Sequence, residues 1–139
     1  MILSKTPITR TFFLKADPEG KASVTIRQAN NGDEMDIAKL GERQRWSRNV
    51  DGTNDLVVQF NYEETKRLQV KLVLTDTAEI LDDEGKSAFT FRMGKNGNEI
   101  ANTDQFNATW ARMDVVVADE IYEYVLDVNP NWDTAAEGK

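Results

Sequence analysis

An α+β fold with a β-rich start and a helical end is predicted by three features of this chain. Two short β-favouring runs flank Asp17-Pro18-Glu19-Gly20 near the N-terminus, charged amphipathic segments occupy the middle, and a long apolar stripe at helical spacing runs toward the C-terminus. The 139 residues, 40% apolar and 29% charged, suit one globular core. The organisation expected is a single domain over residues 1–132 with a mobile acidic tail over 133–139, where only small and charged residues remain.

The N-terminal runs are Phe12 to Leu14 and Ala22 to Ile26. Proline presets a turn between them and glycine accepts positive φ, so they read as a β-hairpin, with Val24-Thr25-Ile26-Arg27 alternating between a buried and a wet face. Asn31-Gly32-Asp33-Glu34 then offers a capping residue and first-turn acids ahead of Met35, Ala38, Leu40 and Trp46. This predicts a helix from about Asp33 to Trp46. Asn49 to Asn54, around Gly52, reads as a connector.

The next segment carries two periodicities. Leu56 to Phe60 looks like a strand, and Leu68, Val70, Leu72 and Leu74 alternate. Asn61 with Glu64 repeats the capping spacing, and Tyr62, Thr65, Leu68, Leu72 and Thr75 share a helical face. The charged run from Glu63 to Arg67 starts a strand poorly, which favours a helix from about Tyr62 to Asp76. Turns are expected at Asp82-Asp83-Glu84-Gly85 and Lys95-Asn96-Gly97-Asn98, with a short strand at Phe89-Thr90-Phe91 between them.

From Asp104 to Val128 the residues Phe106, Trp110, Met113, Val117, Ile121, Tyr124 and Val128 recur every three or four positions. They predict one amphipathic helix, capped by Asn102 or Thr103, stopped by Pro130 and roughly 35 Å long.

Composition limits function more sharply than any motif. Histidine and cysteine are both absent, which eliminates His-based triads, thiolate nucleophiles, disulfides and His or Cys metal ligation. The carboxylates of Asp82, Asp83 and Glu84 lack calcium-loop spacing, and Gly94-Lys95-Asn96-Gly97 lacks the frame of a phosphate loop. No catalytic, cofactor-binding or metal site is expected, and the chain reads as a non-enzyme. Net charge is −7, and after Met113 the acids Asp114, Asp119, Glu120, Glu123, Asp127, Asp133 and Glu137 face Lys139 alone. Neither nucleic acid nor an acidic membrane surface is an expected partner. The longest apolar run, Val115 to Ala118, is far short of a bilayer span, and Met1 to Arg10 lacks the pattern of a secretory signal, so a cytoplasmic location is expected.

The remaining chemistry is protein binding. The stripe is more than one face of a small domain needs, so Trp110, Val117, Ile121, Tyr124, Val128 and Trp132 are the candidate contacts. The partner is either a second copy of this chain, giving a homo-oligomer, or an amphipathic helix laid in a groove. Trp132, beyond Pro130, is either an interface anchor or a clasp on the helix end.

The order of features is Asp17-Pro18-Glu19-Gly20-Lys21, a charged middle helix, Asp82-Asp83-Glu84-Gly85-Lys86 before Phe89, and a terminal helix from Phe106-Asn107-Ala108-Thr109-Trp110 into Val128-Asn129-Pro130-Asn131-Trp132. From Asp55 to Trp132 it resembles the tail assembly chaperones of long-tailed bacteriophages. The resemblance implies a mostly helical protein, with the hairpin as an added β subdomain. It also implies a role in the host-cell cytoplasm: coating a helical tape-measure protein and handing it to tail-tube subunits during virion assembly. The alternative class is a structural virion subunit, such as a neck, tail-completion or other tail protein.

Overall fold

The computed structural model describes residues 1, 3, 6–40 and 54–133, with side chains from Tyr62 onward in the last stretch. Strand β1 (Thr9–Phe13) pairs antiparallel with β2 (Ser23–Arg27), with Thr11 opposite Thr25. The turn between them is organised by Asp17, whose carboxylate accepts from the N–H groups of Glu19, Lys21 and Ala22, and by Gly20 at φ 67°. These three backbone donors hold the Asp17 carboxyl below its ordinary pKa.

Helix α1 covers residues 31–40. Its cap is Asn30, one residue earlier than expected. Asn30 Oδ1 accepts from Asp33 N–H at 3.1 Å, and Asp33 Oδ2 accepts from Asn30 N–H at 2.9 Å, a reciprocal box with Asp in the usual Glu position. The remainder of the helix expected to Trp46, the connector up to residue 53 and the tail from residue 134 lie outside the described residues.

Helix α2 (Asn54–Val73) runs without a loop into β3 (Leu74–Ala78), which pairs antiparallel with β2 to give a sheet of order β1-β2-β3. The helix expected over 62–76 is therefore present to Val73 but begins earlier and ends sooner. Leu56 to Phe60, which look like a strand, lie in its backbone. Gln69, Val70 and Val73 are buried at helical spacing, and this burial overrides the alternation of Leu68, Val70 and Leu72. The β-branched Thr75 and Thr77 then suit an extended chain, with Thr75 Oγ1 donating to Thr25 O at a bulge in the β2–β3 register.

Both expected turns are found. Asp82 Oδ1 accepts from Glu84 and Lys86 N–H, with Gly85 at φ 80°. Strands β4 (Phe91–Gly94) and β5 (Gly97–Ile100) form a hairpin closed by Lys95-Asn96. Phe89, read as part of a strand, instead drops into the core.

The single helix expected over Asp104 to Val128 is two: α3 (Thr103–Arg112), capped by Asn102, and α4 (Val115–Val128), capped by Asp114. Met113 and Asp114 are extended, at ψ 145° and 136°, and Asp114 Oδ1 accepts from Val116 N–H at 2.8 Å. A good N-cap followed by three β-branched valines favours ending one helix and starting another. The pieces are roughly 15 and 21 Å long. A 3-10 turn, Pro130–Trp132, follows α4.

Val24 and Ile26 from the sheet, Val70, Val73 and Leu74 from the α2–β3 junction, Phe89, Phe106, Ile121 and Val125 meet in one buried cluster. Among the described residues the larger sheet has two edge strands, β1 and β3. Gln28 N–H donates to Ile8 O and Leu14 N–H to Ala22 O, so Ile8, Arg10, Phe12 and Leu14 bond toward β2 while Thr9 and Thr11 turn their backbone groups outward.

Candidate protein-binding surface

The structure divides the predicted contact residues. Ile121, Val128 and Trp132 are buried against the sheet and α2, so they belong to the core and are not a docking face. Trp110, Val117 and Tyr124 are half-buried and pack on the margin of the same cluster.

Trp132 is a clasp. The turn after Pro130 brings its ring over the core at 7% exposure, and Nε1 donates to Glu34 Oε1 at 2.7 Å. Next to it, buried Asn129 accepts from Ala29 N–H through Oδ1 and donates through Nδ2 to Arg27 O and Val125 O. The Asn-Pro-Asn-Trp ending thus fastens α4 to the end of β2 and to α1.

Tyr124 stacks on Phe12 with ring centroids 4.4 Å apart and planes 7° apart, while Arg10 lies over the other aromatic partner, Phe12, at 4.8 Å. Its hydroxyl donates to Glu120 Oε2 at 2.6 Å, and Glu120 also accepts from Lys15 and Ala16 N–H. Burial pushes the Tyr124 hydroxyl up to about 12, reinforced by the Glu120 carboxylate. Burial opposes ionisation of Glu120, but the Tyr124 hydroxyl and the two backbone donors outweigh it and hold the carboxyl below its ordinary value.

Arg27 and Asp33 form a buried ion pair at 2.7 and 2.8 Å, with Arg27 also donating to Gln28 O and Leu72 O. They stand at the wall of a cleft of about 500 Å³ between α1, α2 and the β4–β5 hairpin. Lys71 and Lys95 there are matched by Asp36 and Glu99, so the cleft has no dominant charge for a ligand to complement. Among the described residues no group of three carboxylates is placed to hold a metal ion, and no helix is long and apolar enough to cross a membrane.

Exposed apolar side chains occur at several places, among them Ile8, Phe13, Met35, Tyr62 and Met93, and two adjacent ones stand at the α3–α4 elbow. Val115 and Val116, the first two residues of α4, are 72% and 66% exposed. A cleft of about 410 Å³ is lined by Ile80, Leu81, Ala88, Thr109, Arg112 and Met113, which stands two residues before Val115 in the chain, with Leu81 itself 53% exposed. Asp82 and Asp83 border this cleft, and Asp114 sits at the helix start. The signal was present in the sequence: three consecutive residues of a helix sweep about 200° around its axis, so Val115-Val116-Val117 cannot all face one core.

No protein-family model, curated protein or solved structure matches this chain. The class that the structure defines is α+β, with small antiparallel sheets and helices.

Proposed function

We propose that this chain is a non-catalytic binding protein of the tail-assembly-chaperone kind, which masks the apolar face of a helical tape-measure-like protein in the host cytoplasm until tail-tube subunits take it over. The observation that supports this most is the exposure of Val115 and Val116 in the first turn of α4, where fold stability favours acidic or polar residues. An open apolar site on a chain of net charge −7 is suited to cover a partner's apolar surface while mutual repulsion keeps the complexes apart. The resemblance over Asp55 to Trp132 supplies the identity of the partner.

Co-expression tests this reading. The tape-measure-like protein is expected in the soluble fraction when produced with this chain and in the pellet without it. Equal insolubility in both cases overturns it.

The alternative, a structural virion subunit, is favoured by a different observation, the free edge of β1 at Thr9 and Thr11. An open edge pairs readily with a strand from a neighbouring subunit. Under that reading the purified chain forms a closed ring of copies, and replacing Thr11 with proline dissolves it.

A further inference from the structure

We propose that the α3–α4 elbow is the docking site for a basic amphipathic helix of a partner protein, with Val115 and Val116 together with the cleft from Leu81 to Met113 receiving its apolar face. The inference rests on the protein-binding reading above and adds to it the location of the site and the charge of the partner.

The site has two parts that fit such an occupant. The apolar part of the cleft is made by Ile80, Leu81, Ala88 and Met113, and the exposed Val115 and Val116 begin two residues after Met113 in the chain. The side chains of these valines take no part in the buried core. Asp114 supplies the cap, and Ile121, Val125 and Val128 supply the buried face of α4. The rim carries an acidic excess: Asp82 and Asp83 line the cleft and Asp114 stands at the elbow, against Arg112, while Glu84 and Lys86, 3.6 Å apart, offset one another. A helix whose apolar stripe is flanked by Lys and Arg complements both parts. A second copy of this chain does not, because it would bring the same acids against each other.

The experiment uses the full chain and a fluorescently labelled synthetic amphipathic helix of Leu and Lys, with a Leu and Glu helix of the same pattern as its counterpart. Binding is read by anisotropy at physiological salt. The Leu/Lys helix is expected to bind and the Leu/Glu helix not to. The double substitution Val115→Ser with Val116→Ser is expected to weaken binding at least about tenfold, and Leu81→Ser, in the cleft, at least about threefold. Asp127→Asn, an exposed acid near the other end of α4, should leave it unchanged. Circular dichroism of each variant should match wild type, since all four side chains are exposed.

Equal binding of the two peptides overturns the charge assignment. Wild-type affinity in both the valine and the Leu81 variants overturns the location, as does a loss in Asp127→Asn equal to theirs. A dimer of the free chain that the valine substitutions dissociate would put a second copy at the elbow and overturn the proposal as well. These outcomes are separable from failure of the chaperone reading. If the valine variants still protect the co-expressed partner, the function stands and the elbow does not.

Discussion

Trp132 Nε1 donates a 2.7 Å hydrogen bond to Glu34 Oε1 across 98 residues of chain, joining the turn after α4 to the first turn of α1. The ring is buried and the carboxylate is exposed, so the two ends of this contact contribute unequally. Trp132→Ala is expected to cost about 3–5 kcal/mol by emptying a core site. Glu34→Ala should cost about 1 kcal/mol. Urea denaturation measures both, and an unchanged midpoint for Trp132→Ala would place the ring at the surface.

The buried pair of Arg27 and Asp33 is the most sensitive polar contact. Asp33→Ala leaves a guanidinium in the interior with no carboxylate and also removes the partner of Asn30 N–H, so a loss of about 3–5 kcal/mol is expected. Arg27→Met with Asp33→Leu removes both charges and should recover most of that loss. If the double variant is no more stable than Asp33→Ala alone, the pair is not what the single substitution disrupts.

Glu120 and Tyr124 set opposite pH limits. The Glu120 pKa is below its ordinary 4.5 in the folded chain, so its contribution is whole above 4.5 and is lost as pH falls through the lower folded value. The Tyr124 pKa is raised from 10.0 to about 12, so its contribution is whole below 10 and is lost as pH rises through about 12. In Glu120→Gln the acid limb of the stability profile should flatten and Tyr124 should ionise closer to 10. Denaturation midpoints across pH and ultraviolet titration of the tyrosines check this, and an unaltered acid limb would remove Glu120 from it.

Asp114 separates α3 from α4 and caps the second. Asp114→Ala should lose about 1 kcal/mol, and Asp114→Asn or Asp114→Ser much less. Comparable losses in all three variants would show that the charge, and not the cap, is what matters.

How much of this was legible in the sequence depends on the range of the determining interaction. The Asp17 hairpin and the Asp82 and Lys95 turns rest on contacts within a few residues, and they are where local chemistry puts them. The exit of α2 into β3 was not legible, because Leu74 becomes a strand only through its pairing with Ile26, far away in sequence. The stripe from Phe106 to Val128 was legible as a periodicity but not as a use. The same spacing serves a core face or a docking face, and Val125, off the counted steps, is wholly buried while Val117 is not. Val115 and Val116 are legible as an apolar run but not as a surface, because the side of α4 they occupy is fixed only by how the helix packs through Ile121, Val125 and Val128.

The Asn129 and Trp132 clasp also governs when the fold can be completed. Its partners are Arg27, Ala29 and Glu34, so contacts that seal the end of β2 and α1 close loops of about a hundred residues. Such loops are slow to close, and a topology of this kind lowers the folding rate relative to a bundle built from neighbours. On the ribosome, the first strands must wait until Trp132 has left the exit tunnel before the interior is closed to water. Premature termination before Asn129 should therefore yield a chain open to proteolysis throughout, not a shortened domain.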